Sequence, residues 1–150
     1  MAELATAVRT LRSQPYGFFS TPTFEGDPCV RLVQPLRIDD DATVWFVTSP
    51  ATRKAQEIAA GDGAAAYAVE ERECFAYACV RGRATLIRDP ELAGQLWDPG
   101  LDAFFPDGPS GQDAVLVRLR ARVVEFMSFA AAVHPEPYGL RAATIPIAPE

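Results

Sequence analysis

Hydroxyl and cationic side chains come together in the first half of the chain, where a predicted strand meets a predicted helix. The strand ends at Thr48, and Ser49 followed by Pro50 predicts the start of a helix, with serine as its N-cap and proline as its first residue. The first amides of a helix lack partners, so this end favours an anion. Arg53 and Lys54 follow within about a turn, and an arginine with a lysine is a good clamp for phosphate.

The same charges have a second interpretation. Cations near a helix N-terminus oppose the helix dipole, at a cost of about 0.3–1 kcal/mol each. An anionic ligand would turn this cost into attraction. Alternatively Glu57, which follows Arg53 at i+4 and Lys54 at i+3, would neutralise both cations and leave a solvated helix face. The spacing alone leaves both interpretations open.

Residues for nucleophilic or metal catalysis are scarce. The only histidine, His134, lies in a proline-rich stretch and is interpreted as a solvated loop residue. The three adjacent carboxylates at residues 39–41 predict a solvated turn, because they cannot all face one ion. We therefore predict no metal site and assign no catalytic residue.

The elements that must position these side chains are mainly strands. A helix over residues 2–14 precedes six predicted strands, with further helices after the third and fifth. The last strand alternates an apolar face with arginines, for which plain exposure to solvent is favoured over a dimer or ligand role. Gly82 in the fifth strand indicates a bulge or a close backbone approach. The pattern predicts a small, mainly β barrel with peripheral helices. The predicted strands span residues 16–21, 29–36, 43–48, 64–69, 74–87 and 115–123, and the arginines of the last strand are Arg118, Arg120 and Arg122.

Composition narrows the class of protein further. The chain has 150 residues and a formal net charge of −6, so we expect one domain that does not have nucleic acid as its main partner. Its 3 cysteines are too few for a disulfide framework, and no apolar run approaches the length of a membrane span. We therefore expect a cytoplasmic protein with no membrane partner. Lys54 is its single lysine, and every other basic residue is an arginine.

Two segments resemble the flavin-binding parts of a known family. Val47 and Thr48, followed by residues 53–55, are similar to the flavin mononucleotide (FMN) phosphate motif of pyridoxamine 5'-phosphate oxidase and its relatives. Residues 31–36 resemble the arginine-led strand against which the flavin of that family lies.

Later segments extend the resemblance to residues 4–128. Residues 77–84 are similar to a strand of the family that ends in a glycine. The Trp-Asp-Pro of residues 97–99 and the Phe-Phe-Pro-Asp-Gly of residues 104–108 resemble a helix and loop of its general stress protein branch.

The resemblance implies a six-stranded antiparallel split β-barrel over residues 1–129, with a Pro- and Ala-rich extension of the same domain at 130–150. It implies a homodimer that holds FMN in clefts between its subunits and works as an oxidoreductase on a small-molecule redox substrate. The alternatives are a non-catalytic flavin-binding or stress-response dimer, and a split barrel that binds a deazaflavin (F420) or haem. The residues implied for the cofactor are Arg31, Arg53, Lys54, Thr48 and Ser49 at the phosphate, Leu32, Val33 and Val47 at the ring or ribityl chain, and Tyr77, Trp97 and Phe105 nearby.

The chain departs from the pattern of the family in three places. No segment matches the C-terminal tryptophan and arginine with which the oxidase grips flavin and substrate, so oxidation of pyridoxamine phosphate is not expected. Phe126 and Met127 stand where the stress protein branch has an aromatic residue and a tryptophan. Leu36 stands where the oxidases have a phosphate-binding lysine, with Arg37 beside it.

Overall fold

The computed structural model of the chain describes residues 2–135 and 141–149. Within these ranges an eight-stranded sheet is accompanied by three α-helices and three short 3-10 helices. None of the described helices is long and apolar enough to cross a membrane. The strands are β1 (Gly17–Pro22), β2 (Pro28–Val33), β3 (Arg37–Ile38), β4 (Val44–Thr48), β5 (Ala64–Glu71), β6 (Ala76–Ile87), β7 (Val115–Ser128) and β8 (Ala143–Pro146); the α-helices are α1 (Ala2–Arg12), α2 (Arg53–Ala60) and α3 (Pro90–Leu96); the 3-10 helices are Arg72–Cys74, Pro99–Ala103 and Gly108–Ser110.

The sheet follows the order β2-β1-β5-β6-β7-β4-β3, and all of its pairings are antiparallel. The 14-residue β7 pairs with β6 along one edge, while its other edge pairs with β4 near its start and with β8 near its end. The predicted fold class, a mainly β split barrel, is confirmed. The six predicted strands are the longer ones, and the two-residue β3 and four-residue β8 were not predicted.

A single aromatic contact shows how strongly the sheet curls. Phe19 of β1 and Phe46 of β4 belong to strands that are not neighbours in the sheet, yet their ring centroids lie 4.8 Å apart. The two sides of the sheet therefore close over a shared core, which also contains Tyr67, Leu119 and Phe126 with no exposed surface. Burial of a leucine or phenylalanine side chain stabilises the fold by about 1.5–3 kcal/mol relative to exposure.

A β-bulge interrupts the pairing of β6 with β7. The register shifts between Arg81 and Gly82, which leaves Arg122 on β7 without a partner residue on β6. A Cβ at position 82 would lie 1.8 Å from the carbonyl oxygen of Arg120, closer than atoms can pack. The predicted bulge and close backbone approach at Gly82 are both present.

The C-terminal extension contributes a strand to the sheet. β8 pairs with the second half of β7, and Ile145 lies in the core with 2% of its surface exposed. His134 is exposed, as expected for a loop histidine, and its ring stacks on that of Phe129 at a centroid distance of 4.7 Å. The rest of the proline-rich stretch, at 136–140, lies outside the described residues.

Candidate functional site

The junction between β4 and α2 differs from its predicted form. α2 begins at Arg53 with Thr52 as its N-cap, so the prediction of Ser49 as N-cap and Pro50 as the first helical residue is wrong. A turn precedes the helix instead: the N–H of Thr52 donates to the carbonyl oxygen of Ser49 at 3.1 Å, and Ser49 Oγ accepts from the N–H of Ala51 at 3.2 Å. Serine side chains favour such local bonds to the backbone, and these compete with a helix.

This later start places two cations at the first two positions of α2. Arg53 and Lys54 open the helix, and the N-cap Thr52 makes no side-chain hydrogen bond to the helix amides. Its hydroxyl donates to the carbonyl oxygen of Ser49 at 2.8 Å instead. The amides of the first turn therefore lack a cap, and the positive end of the helix dipole coincides with two side-chain cations. Both features favour an anion here.

A third cation reaches the start of α2 from β2. The side chain of Arg31 is 19% exposed, and its Nη2 donates to Oε1 of Glu57 on α2 at 3.0 Å. Its Nη1 donates to Oγ1 of Thr21 on β1 at 2.7 Å and to the carbonyl oxygen of Cys29 at 3.2 Å. Arg31 thus ties β1, β2 and α2 together, and protein contacts alone hold its guanidinium in place.

Glu57 is the acidic centre of this group of charges. Its side chain is 1% exposed, its Oε1 accepts from Thr21 Oγ1 at 3.2 Å and from Arg31, and the same oxygen lies 3.7 Å from Nε of Arg53. Its Oε2 is buried and has no hydrogen-bond partner among the described residues. A buried carboxylate is tolerated when cations pair with it, so the two arginines account for its position inside the fold. We call Arg31, Arg53, Lys54 and Glu57 the α2 cluster.

Lys54 is the least compensated member of the α2 cluster. It makes no ion pair within the described part of the chain; Glu57 pairs with Arg31 and Arg53 instead. Partial burial lowers the pKa of Lys54, and the positive charge of Arg31 lowers this pKa further. The neutralising role predicted for Glu57 is therefore met only toward Arg53. One carboxylate faces three cations, which leaves a local excess of positive charge in a chain of net charge −6.

The two predicted hydroxyls support the turn before α2. Thr48 is 4% exposed, and its Oγ1 lies 3.1 Å from Oγ1 of Thr52. Ser49 is half-buried and accepts the bond from Ala51 described above. Contact between the Thr48 hydroxyl and a ligand would require this hydroxyl to change partner, whereas the cations and the uncapped amides are available as they stand.

β2 and β4, which lie beside the α2 cluster, differ in the backbone and side-chain groups that a ligand could reach. β2 is a terminal strand, so one edge of its backbone has no strand partner among the described residues. On it, Leu32 is 59% exposed and Val33 only 8%. Val47 of β4 is half-buried and packs against apolar groups that contain Trp45 and Phe105. The open edge of β2 leaves amides and carbonyls available to a ligand.

Tyr77 lies away from the α2 cluster in the same chain. Thr21 of β1 contacts the cluster and follows Ser20, which pairs with Ala66 on β5. Tyr77 instead pairs with Glu70, which lies further along β5. At about 3.3 Å per residue this offset is roughly 15 Å. One subunit therefore does not bring Tyr77 together with the cations.

Trp97 and Phe105 pack against each other beside β4. Their ring centroids lie 5.8 Å apart in an edge-to-face arrangement, and Trp97 Nε1 donates to Oδ1 of Asp102 at 2.8 Å. Phe105 is 9% exposed and shares an apolar group with Leu101 and Val47. Both rings support the loop next to Val47, in the packing role that such aromatics commonly have.

Sequence reasoning missed two contacts of the α2 cluster. Thr21 and Cys29 are cross-strand partners on β1 and β2, and both touch the cluster: Thr21 binds Arg31 and Glu57, and Cys29 Sγ contacts the guanidinium of Arg53. The period-two alternation of β2, which puts Cys29 and Arg31 on one face, could have indicated the second. No sequence signal indicates the contact from β1, because it depends on the pairing register.

A comparison with models of protein families identifies the class of protein. Residues 4–129 match the family model described as pyridoxamine 5'-phosphate oxidase like. Because this match spans most of the chain, the chain belongs to that family. A search of curated proteins found no significant match.

Solved structures with the same fold agree with this assignment. A protein of Clostridium acetobutylicum related to general stress protein 26 of B. subtilis superposes with a TM-score of 0.78 at 16% identity, covering 97% of this chain and 95% of that one. A haem-binding protein of Mycobacterium smegmatis gives a TM-score of 0.70 at 18% identity, covering 95% of this chain and 57% of that one. An F420 reductase gives 0.59 at 24% identity, covering 77% and 93%. These likenesses show the fold.

Proposed function

We propose that the chain binds FMN through the α2 cluster and acts as a flavin-dependent oxidoreductase in the cytoplasm. The observation that carries this proposal is the uncompensated charge: three cations lie at a helix start without a side-chain cap, and the one buried carboxylate beside them pairs with only two of them. A phosphate monoester carries about −1.5 to −2 charges near pH 7, which matches that excess. The residues present therefore fit the phosphate of FMN.

The members of the α2 cluster would divide the work of binding. Arg53, with 62% of its side chain exposed, and Lys54 would contact the phosphate, together with the first amides of α2. Arg31, whose terminal nitrogens already bond to protein atoms, would act through its charge and by fixing Glu57. Bound FMN would supply hydride or electron transfer, while the open edge of β2 would orient its ring and ribityl chain.

We further propose that two chains form a homodimer with the flavin sites at the interface. Phe18 and Leu32 are cross-strand partners that are 56% and 59% exposed, and Val30, on the same face of β2, is 60% exposed. Adjacent exposed apolar side chains favour burial against a partner. Tyr77, which lies far from the α2 cluster of its own chain, would then serve the site of the other subunit.

A non-catalytic flavin-binding or stress-response dimer is the competing role for the same site. The described residues around the α2 cluster include no histidine, and the carboxylate of the cluster pairs with two arginines. The cluster therefore supplies no evident group for proton transfer. Stopped-flow reduction of bound flavin by NADH or NADPH, followed by reoxidation with quinones or nitroaromatic acceptors, separates the two roles. Turnover supports the oxidoreductase, and flavin that binds but is not reduced by either donor supports the non-catalytic role.

Haem is a second candidate cofactor because of one observation at the other end of the sheet. The exposed ring of His134 stacks on Phe129, which itself lies edge-to-face with Phe75 at a centroid distance of 5.0 Å. The imidazole of His134 would hold the iron of a haem, and the two phenylalanines would supply apolar walls. This reading requires His134, whereas FMN and F420 do not.

The absorption spectrum of the purified protein, before and after addition of each cofactor, tests these assignments. We expect flavin bands that FMN addition brings to one equivalent per chain. A Soret band that disappears in His134→Ala identifies haem instead, and preferential retention of F420 identifies the deazaflavin. A protein that stays colourless with all three contradicts the proposed function.

A further inference from the structure

A groove crosses the outer face of β5, β6 and β7. It encloses about 360 Å³, and Ala64, Ala66, Arg81, Arg83 and Arg122 are among its lining residues. The α2 cluster contacts the opposite face of the sheet. Thr21 lies two residues after the buried Phe19 on β1, so both side chains are on the inner face of the sheet. The arginines of β6 alternate with residues buried in the core, so they are on the outer face. The groove is therefore separate from the site proposed for FMN.

The bulge described above places Arg122 in this groove. Ala121 and Val124 both pack against the core, so the extra residue leaves Arg122 and Val123 between them on the outside. Bulges re-aim side chains in this way and are common next to functional sites. Gly82 also lines the groove, and glycine is required there because a Cβ would collide with the carbonyl oxygen of Arg120 on β7.

The arginines around the groove differ in whether they have an ion-pair partner. Arg81 pairs with Glu125 at 2.9 Å and Arg83 with Asp62 at 3.4 Å, and all four side chains are at least one-third exposed. The side chain of Arg122 makes no ion pair or hydrogen bond within the described residues. Small alanine side chains on β5 leave room in front of it. Exposed ion pairs contribute little, so Arg81 and Arg83 can change partner at small cost.

We propose that this groove is a second anion-binding site, which takes a small molecule through its phosphate or carboxylate group. Arg122 is the primary contact, because a guanidinium can bind either group with two parallel hydrogen bonds. Arg81 and Arg83 flank it and bind a second anionic group of the same ligand, and the alanines of β5 accommodate its body. The inference does not depend on FMN binding.

Isothermal titration of the full chain with inorganic pyrophosphate and, separately, with citrate tests the proposal and distinguishes the two chemistries. Backbone amide chemical shifts locate the binding. We expect millimolar or tighter binding of at least one probe, with shifts centred on Gly82 and residues 64–66, and at least tenfold weaker binding by Arg122→Ala. Ala66→Leu keeps every charge but fills the groove, and we expect it to weaken binding similarly.

Arg72→Ala is the matched control, because it removes one exposed arginine of the same chain outside the groove. It should bind the probe as the unaltered chain does. Equal losses in Arg72→Ala and Arg122→Ala would assign the effect to net charge and overturn the proposal. It is also overturned when neither probe binds, when the shifts are confined to the start of α2, or when Arg122→Ala dissociates a dimer without changing anion affinity.

Discussion

The α2 cluster and the outer groove are both rich in arginine, but they hold their charges differently. In the α2 cluster a carboxylate that is 1% exposed lies between guanidiniums from β2 and α2. In the groove the two ion pairs are exposed, and one of them joins neighbouring strands that the sheet already pairs. The α2 cluster therefore helps to hold β2 and α2 in place, whereas the arginines of the groove can change their ion-pair partners without altering the fold.

The comparison shows what burial does to an ion pair. Removing one partner from a buried pair leaves an uncompensated charge and costs about 3–5 kcal/mol, whereas exposed pairs are worth about 0.2–1 kcal/mol. The α2 cluster thus has a structural carboxylate and, in Arg53 and Lys54, cations that remain accessible. In the groove the paired cations and their carboxylate partners are both accessible.

Substitution of Glu57 should lower the free energy of unfolding more than any other change considered for the two regions. Glu57→Ala removes the carboxylate that faces Arg31 and Arg53, so we expect the free energy of unfolding to fall by about 3–5 kcal/mol. Glu57→Gln keeps an oxygen acceptor for Arg31, so its free energy of unfolding should fall by less. Urea denaturation followed by circular dichroism measures both variants. A loss below about 1 kcal/mol in Glu57→Ala would remove the distinction between the two regions.

Some features of these regions could be predicted from the sequence alone, and others could not. The mainly β barrel, the bulge at Gly82 and the position of Arg53 and Lys54 in the first turn of a helix could be predicted, since they follow from local periodicity, glycine sterics and spacing. The start of α2 could not, because a turn closed by Thr52 and Ser49 competes with the serine cap. The pairing of Arg31 with residues on β1 and α2 depends on register and curl, which no local pattern encodes.

The second expected effect is on ligand affinity at Lys54. Lys54→Ala should weaken FMN binding several-fold and leave the free energy of unfolding nearly unchanged, because Lys54 has no ion pair to lose within the described residues. Fluorescence quenching of FMN on titration with protein measures the affinity. The control is Arg72→Ala, which removes an equal charge from an exposed turn. Unchanged affinity in Lys54→Ala would favour the solvated-face interpretation of α2.

A pH dependence should accompany the same residue. The fold lowers the pKa of Lys54 below its ordinary value of 10.5, so between these two values the unfolded chain binds more protons than the folded one. The free energy of unfolding should therefore rise with pH across that window by an amount that is absent in Lys54→Met. FMN affinity should fall across the same window as the ammonium loses its proton. Identical pH profiles for the two proteins would contradict the partial burial of Lys54.

The smallest expected effect is at the rim of the groove. Asp62→Asn removes the partner of Arg83, which lies 3.4 Å away with 44% of its side chain exposed. We expect the free energy of unfolding to change by less than about 1 kcal/mol, because water replaces the lost carboxylate. The urea titration used for Glu57 measures this change. A loss as large as that of Glu57→Ala would show that the groove is as structural as the α2 cluster.

Binding of a flavin phosphate by the α2 cluster can be tested by comparing two ligands. FMN and riboflavin differ only in that phosphate, so their dissociation constants for the unaltered chain isolate its contribution. We predict that FMN binds at least tenfold more tightly than riboflavin and that the preference shrinks in the double variant Arg53→Ala/Lys54→Ala. Equal dissociation constants for the two flavins, or a preference that the double variant retains in full, would contradict the claim.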